Sequence, residues 1–403
     1  MSAMPDGDDL TAAPASAVAQ PLTALYLLTA VMSLGYGSIY TLLADIRDEF
    51  GFSSGDVGLI AFAGFLTGFV AQVVLARFAD RGHTALMLRA GVAVAAAGMA
   101  WTLVADELWQ WVGARLLLGL GSGTVGPAVR RLVIARDPEH VGANLGRQTA
   151  FDVSGFVLGP LVAAGAAQAA GLRAPFAVLL VLYLLVLAAL FRFDLATGGT
   201  IGSRRGVRGL LALPAVQSAL CASIALYLTV GMFEALWSVL LRDLGAETWL
   251  IGTTLSLFTI PMILFAPRGG KAAQHRGPMA VVTVSIAVAS LCTLSYGWAP
   301  LWAVIAVSAV HAVADAFTLP GNQVAVAMAS PPDQVATGQG LLGAAGLAVA
   351  GLTALVGGAV YDAAGRGAAF GGTAALMVAF LLAARWRSDV AHQRATAVAP
   401  VAG

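Results

Sequence analysis

Charge is scarce in this chain. Only 11% of its 403 residues are charged, while 59% are hydrophobic. A soluble domain carries about a quarter charged residues. The deficit excludes a soluble globular protein, because a chain of this length has no core large enough to hide so much apolar surface. The net charge of +1 also lacks the basic excess of a nucleic-acid binder. Cysteine is nearly absent. Cys221 and Cys292 both fall inside apolar runs, which makes them small buried side chains and not a disulfide or metal site. A Walker-type nucleotide loop, a metal cluster, a nucleophile–base set and a cofactor loop are all missing. No cofactor, no metal and no enzymatic activity are therefore expected. Residues 1–20 contain no Lys or Arg, so they are no signal-peptide n-region. They read as a disordered cytoplasmic tail.

What the chain has instead is a succession of apolar runs at 22–43, 57–75, 85–104, 108–134, 146–167 and 175–191. After a Gly- and Arg-rich stretch, six more follow at 214–241, 250–266, 279–296, 301–327, 338–361 and 368–384. About twenty residues at 1.5 Å rise span a bilayer core of roughly 30 Å. Continuous runs of this length exclude a membrane β-barrel, whose strands alternate over about ten residues. The reading is an all-α membrane protein with twelve transmembrane helices in two six-helix halves, 21–191 and 214–386. A cytoplasmic linker at 192–213 joins them, and a cytoplasmic tail follows at 387–403. With both termini inside, 17 of the 22 basic residues fall on the inner side and only Arg47, Arg173, Arg242 and Arg366 on the outer. That bias predicts a multi-pass protein of the inner or plasma membrane with cytoplasmic termini.

The halves repeat. Gly51 and Gly58 match Gly245 and Gly252 at an offset of 194, Asp80 matches Gln274, and Gly171 and Phe176 match Gly365 and Phe370, all at the same offset. Parallel six-span repeats place a transport site at the midplane between the halves.

Three motifs carry a resemblance. Asp80-Arg81 sits in the charged turn between the second and third runs, with Ala76, Gly82 and His83 around it. Arg115 is followed by Gly119 and Gly123. Gly155, Gly159 and Pro160 precede Ala163. On these residues the chain resembles the major facilitator superfamily over nearly its whole length, and the third motif is similar to that of proton-coupled drug exporters. The resemblance implies that Asp80 and Arg81, with Arg130 or Arg131, latch the halves at the inner gate in an outward-facing state. It also implies a helix-packing role for Gly119, Gly123, Gly155, Gly159 and Pro160. Asp80 is expected to accept from Arg130 or Arg131, or to cap a neighbouring helix.

Five ionisable residues lie inside runs: Arg115, Asp152, Glu234, His311 and Asp315. A charge at the centre of a lipid-facing helix costs about 2.5–3.5 kcal/mol, so these should face the bundle interior and are candidates for proton and substrate coupling. Glu234 reads as a proton carrier or substrate contact, or else as a carboxylate paired with Arg115. Its neighbours Phe233 and Trp237 offer aromatic faces to an apolar or cationic substrate. His311 and Asp315, four apart on one helix face, form either a proton relay or a polar patch between helices. Asp152 reads as a proton site or a contact of Arg147 or Arg131. Tyr36 and Tyr40, one turn apart, line the cavity or pack as interface aromatics. The expectation is a monomeric secondary active transporter working by alternating access, with a small molecule, protons and the bilayer as its partners. Proton-coupled export of a small amphipathic compound comes first. Proton-coupled uptake of a metabolite is the alternative, and a non-transporting receptor or scaffold is the reading from another class.

Overall fold

A computed structural model describes residues 22–192, 195 and 207–398. The expected tail at 1–20 and most of the linker lie outside the described residues. The elements are helical: α1 Leu22–Phe50, α2 Ser54–Phe78, α3 Thr84–Thr102, α4 Leu108–Arg136, α5 Val141–Ala170, α6 Ala174–Arg192, the short α7 Val207–Leu211, α8 Pro214–Asp243, α9 Thr248–Arg276, α10 Pro278–Tyr296, α11 Leu301–Ala329 and α12 Val335–Val398.

Among the described residues, nine segments are long and apolar enough to cross a membrane. Two of them, Asp56–Thr102 and Val335–Arg394, each hold two helices that fold back at a glycine. Gly82 has φ 89° and Gly365 has φ 80°, a region that L side chains enter only with strain. Counting α9 as well, which is not among those nine, the described helices are consistent with the expected twelve.

The helices overrun the apolar runs. α1 continues to Phe50, so Asp45, Asp48 and Glu49 occupy its last turns and not a loop. α9 continues through 270–276 to Arg276, and the turn comes only at Gly277 with φ 86°. α12 stays helical to Val398 where a tail from 387 was expected. Capping residues and glycines set helix ends, whereas hydropathy sets only the slab they cross. Ser53 illustrates this. Its hydroxyl accepts from the Asp56 amide at 3.2 Å while the Asp56 carboxylate accepts from the Ser53 amide at 2.9 Å, a reciprocal cap that starts α2.

The repeat is visible in the backbone. Gly51 and Gly245 both have positive φ, as do Gly171 and Gly365. Arg173 donates to the carbonyl of Ala105 at 3.3 Å, and Arg366 donates to that of Ala299 at 3.1 Å; those acceptors are again 194 apart. Within the first half, small residues set the helix spacing. Gly155 and Gly159 of α5 sit against the backbone of α1 at Ala30 and at Leu34 to Ser38, and the Ser38 hydroxyl donates to the Gly159 carbonyl at 2.9 Å. Gly119 and Gly123 of α4 lie against Gly64 and Gly68 of α2. The motif glycines thus stand where two pairs of helices approach backbone to backbone.

The halves are joined toward one end. There α5 meets α9, α2 meets α12 and α11 meets α5. Gly142 faces Gly270 backbone to backbone, Gly146 lies on Ala266, and Gly340 lies on Gln72. This is the closed end, where α2, α4, α9 and α11 finish and α5 and α12 begin.

Candidate functional site

Asp80 lies at this end, in the turn between α2 and α3. Its buried carboxylate accepts from four donors: Arg131 Nη1 at 3.0 Å, the Ala336 amide at 2.8 Å, and the amide and hydroxyl of Thr337 at 2.8 and 2.7 Å. The charge thus sits on the N-terminus of α12, where the helix dipole favours an anion. This one residue thus makes both contacts, with an arginine of α4 and with the first amides of α12. Arg131, not Arg130, is the partner, and it also donates to the Pro332 carbonyl at 3.3 Å. Arg81 is exposed and lies over the Phe78 ring at 5.6 Å.

Gln274 occupies the equivalent place in the second half. Its Oε1 accepts from the Gly142 amide at 2.7 Å, and its Nε2 donates to the Glu139 carbonyl at 2.7 Å. Ala336 and Gly142 are themselves 194 apart. Two pseudo-symmetric clasps therefore hold the closed end, one ionic on α12 and one neutral on α5. The sequence offset identifies the pair, but the receiving residues Thr337 and Gly142 carry no signal of their own.

Away from that end the candidate side chains differ in exposure. Glu234 of α8 is exposed and has no hydrogen-bond or ion-pair partner among the described residues; the anticipated pair with Arg115 is not formed. Phe233, beside it, is half-buried and packs on Trp237 at 4.7 Å and Phe258 at 4.4 Å between ring centroids. Trp237 is only 1% exposed, and its indole N–H donates to the Thr254 hydroxyl at 3.1 Å. It backs the wall and does not line the cavity.

Behind this wall lies a buried polar couple. The Tyr296 hydroxyl and His311 Nδ1 are 3.0 Å apart, and His311 Nε2 is 3.8 Å from Asp315 Oδ2. The second distance is too long for a hydrogen bond. His311 and Asp315 are 2% and 5% exposed, so neither reaches the cavity. Phe258 separates His311 from Phe233, with a ring distance of 6.0 Å to the imidazole. Tyr296 was not singled out from the sequence, because an aromatic residue at the end of an apolar run looks like any interface tyrosine.

The first half supplies the facing side chains. Arg115 is buried, donates to the Ile60 carbonyl at 3.4 Å and lies over the Tyr36 ring at 5.5 Å. Gly64 leaves the space that its guanidinium fills. The Tyr36 hydroxyl shares a 2.5 Å hydrogen bond with the Ser122 hydroxyl. Asp152 is half-buried and accepts from the Ser33 hydroxyl of α1. It contacts neither Arg147 nor Arg131, which are engaged with Asn144 and Asp80. Because α5 begins at Val141, Asp152 stands about 16 Å along that helix at 1.5 Å per residue, far from the closed-end loops. Tyr227 of α8, with its ring against Gly346, lies within electrostatic range of Arg130, Asp152 and Glu234; the sequence did not single it out. The side chain of Tyr40 lies outside the described residues.

A family model described as the Major Facilitator Superfamily matches residues 25–216 and 219–400. The chain belongs to that superfamily. It is therefore a multi-pass membrane protein of a transporter superfamily, and this membership agrees with the expectation of no enzymatic activity. Among curated relatives it is similar to the Multidrug resistance protein MdtG of Enterobacter lignolyticus, 27% identical over 246 residues, which is 58% of each chain. It is also similar to the MdtG of Citrobacter koseri, 29% identical over 280 residues, 66% of this chain and 68% of that one. The match thus spans well under two thirds of the first of these relatives. Two solved structures share the fold. The human organic anion transporter MFSD10 (TETRAN) superposes with a TM-score of 0.69 at 16% identity, covering 91% of this chain and all of that one. The transporter FucP, in the outward conformation, superposes with a TM-score of 0.73 at 16% identity, covering 91% and 98%.

Proposed function

We propose that this superfamily member is a secondary active exporter that exchanges external protons for a small amphipathic compound by alternating access. The observation that carries the reading is Glu234. It is an exposed, unpartnered carboxylate deep in a spanning helix, placed beside stacked aromatic rings and on the side of the bundle away from the closed end. A membrane-embedded acid is costly unless water or a ligand solvates it, and an aromatic wall suits the apolar part of an amphipathic guest. The multidrug relatives support this substrate class. The basic bias of the loops assigns the closed end, the linker and both tails to the cytoplasm of a cell-membrane protein. The described arrangement is then outward-facing. Glu234 takes up the proton or the guest, and Asp152 with Tyr227 forms the next acid site toward the closed end. Arg115 shapes the opposing wall over Tyr36. The His311–Asp315 couple, sealed behind Phe258, connects to the cavity only if that aromatic wall moves. The protein works as a monomer.

The test is accumulation of fluorescent amphipathic dyes in a host lacking its own exporters. Wild type should lower dye accumulation, and both a protonophore and Glu234→Gln should abolish the effect. Dye extrusion that survives the protonophore removes proton coupling from the reading, whereas extrusion that survives Glu234→Gln removes this residue from the path.

A further inference from the structure

On the flank of the second half, a groove of about 620 Å³ runs between the end of α9 and helices α10 and α11. Val284 of α10 and Val310, Val313 and Phe317 of α11 line it, with Ala314 and Ser285 at its floor. The one polar side chain on that floor is already engaged within the protein. The Ser285 hydroxyl donates to the Val282 carbonyl at 3.3 Å and accepts from Thr318 at 2.7 Å. The groove therefore presents an apolar surface, and its rims are open, with Val284 67% and Val310 53% exposed. α10 packs on α8, α9, α11 and α12, all in the second half, so this is not the flank that faces the first half and the transport cavity.

One end of the groove differs. Arg276, the last residue of α9, lines it there. It is exposed and has no hydrogen-bond or ion-pair partner among the described residues. It stands at the turn into α10, three residues before the apolar run that begins at 279, where that run enters the headgroup level. An apolar slot leading away from an unpaired guanidinium has the chemistry of an acyl chain joined to an anionic phosphodiester. We propose that this groove is a binding site for an anionic phospholipid. One acyl chain lies against Val284, Val310 and Phe317, and the phosphate oxygens accept from Arg276. Net negative charge matters, because a zwitterionic headgroup brings its own cation to compete for the phosphate. Arg276 lies two residues beyond Gln274, so a lipid held here bears on the same helix end that clasps α5.

The test uses the full chain reconstituted in phosphatidylcholine vesicles. A trace of photoactivatable phosphatidylglycerol is added, or of photoactivatable phosphatidylcholine carrying the same acyl photoprobe. Adducts are mapped by peptide mass spectrometry. Phosphatidylglycerol should label peptides covering 280–288 and 310–317 several-fold more than phosphatidylcholine does. Arg276→Gln should bring that ratio to about one, Arg276→Lys should retain most of it, and Val284→Trp should remove labelling by both lipids. Arg268→Gln, on the same helix but outside the groove, should leave the ratio unchanged and so controls for surface charge. Equal labelling by both headgroups in the wild-type protein overturns the proposal, as does a preference that survives Arg276→Gln or falls equally with Arg268→Gln. A matching elution profile in size-exclusion chromatography for each variant excludes misfolding as the cause of lost labelling.

Discussion

Two acids set inside this bundle have surroundings that assign them opposite work. Asp80 spends its oxygens on four protein donors, while Glu234 has no partner among the described residues. Asp80→Ala leaves Arg131 buried without its counter-charge and strips the cap from α12. The expected cost is about 3–5 kcal/mol, as for breaking any buried pair from one side. A double-mutant cycle with Arg131→Ala, read from denaturant unfolding in detergent, should show the double variant losing much less than the sum of the singles. Simple additivity would mean that the 3.0 Å contact carries no coupling. Glu234→Gln removes no folded-state contact, so its stability should stay within about 0.5 kcal/mol of wild type even as dye extrusion is lost. A large destabilisation there would mean that Glu234 has a structural partner after all.

At the scale of the helix, glycine is what makes α5 fit. A Cβ on Gly155 would press into the backbone of Ala30 in α1, whereas one on Gly165, three turns later, would meet nothing within 4 Å. Gly155→Ala should therefore cost about 1–3 kcal/mol by overpacking, while Gly165→Ala should gain roughly 0.5–1 kcal/mol from helix propensity. Thermal unfolding of the two variants separates them by sign, and a loss in both would mean that α5 tolerates no side chain on either face. These contrasts mark how far the sequence can be read. Periodic runs, a 194-residue offset and the glycine motifs point to twelve helices, two halves and close packing at α4 and α5, because apolar length and small residues act locally, but they do not name the partner helices. Pairing across the halves is another matter. That Asp80 would receive Thr337, or Gln274 the Gly142 amide, depends on two helix starts more than a hundred residues away, and backbone amides leave no mark in a sequence. Trp237 misleads for a related reason. Beside Phe233 it reads as a second cavity aromatic, but α8 buries half of its 30 residues, Trp237 among them, and its indole is taken by Thr254.

At the scale of the whole molecule, the two clasps make the closed end a candidate gate. α5 and α9 touch there at Gly142 and Gly270, whose carbonyls occupy the space that a Cβ on the other would need. Any movement that opens this end must part these two backbones. Cysteines at both positions, with Cys221 and Cys292 replaced by Ala, need the two backbones to part enough to admit both Cβ atoms, and a disulfide then fixes them at that separation. Oxidation of the Gly142→Cys/Gly270→Cys protein should abolish transport, and a reductant should restore it. In the same locked protein carrying Glu234→Cys, a membrane-impermeant maleimide added from outside should still label residue 234, because the lock fixes the closed end and leaves the other open. The combination is discriminating. Transport that continues in the fully oxidised protein means that this end never opens, and alternating access about these contacts fails. A lock that stops transport and also shields position 234 means instead that the cavity opens elsewhere, and the outward-facing assignment fails while the gate survives.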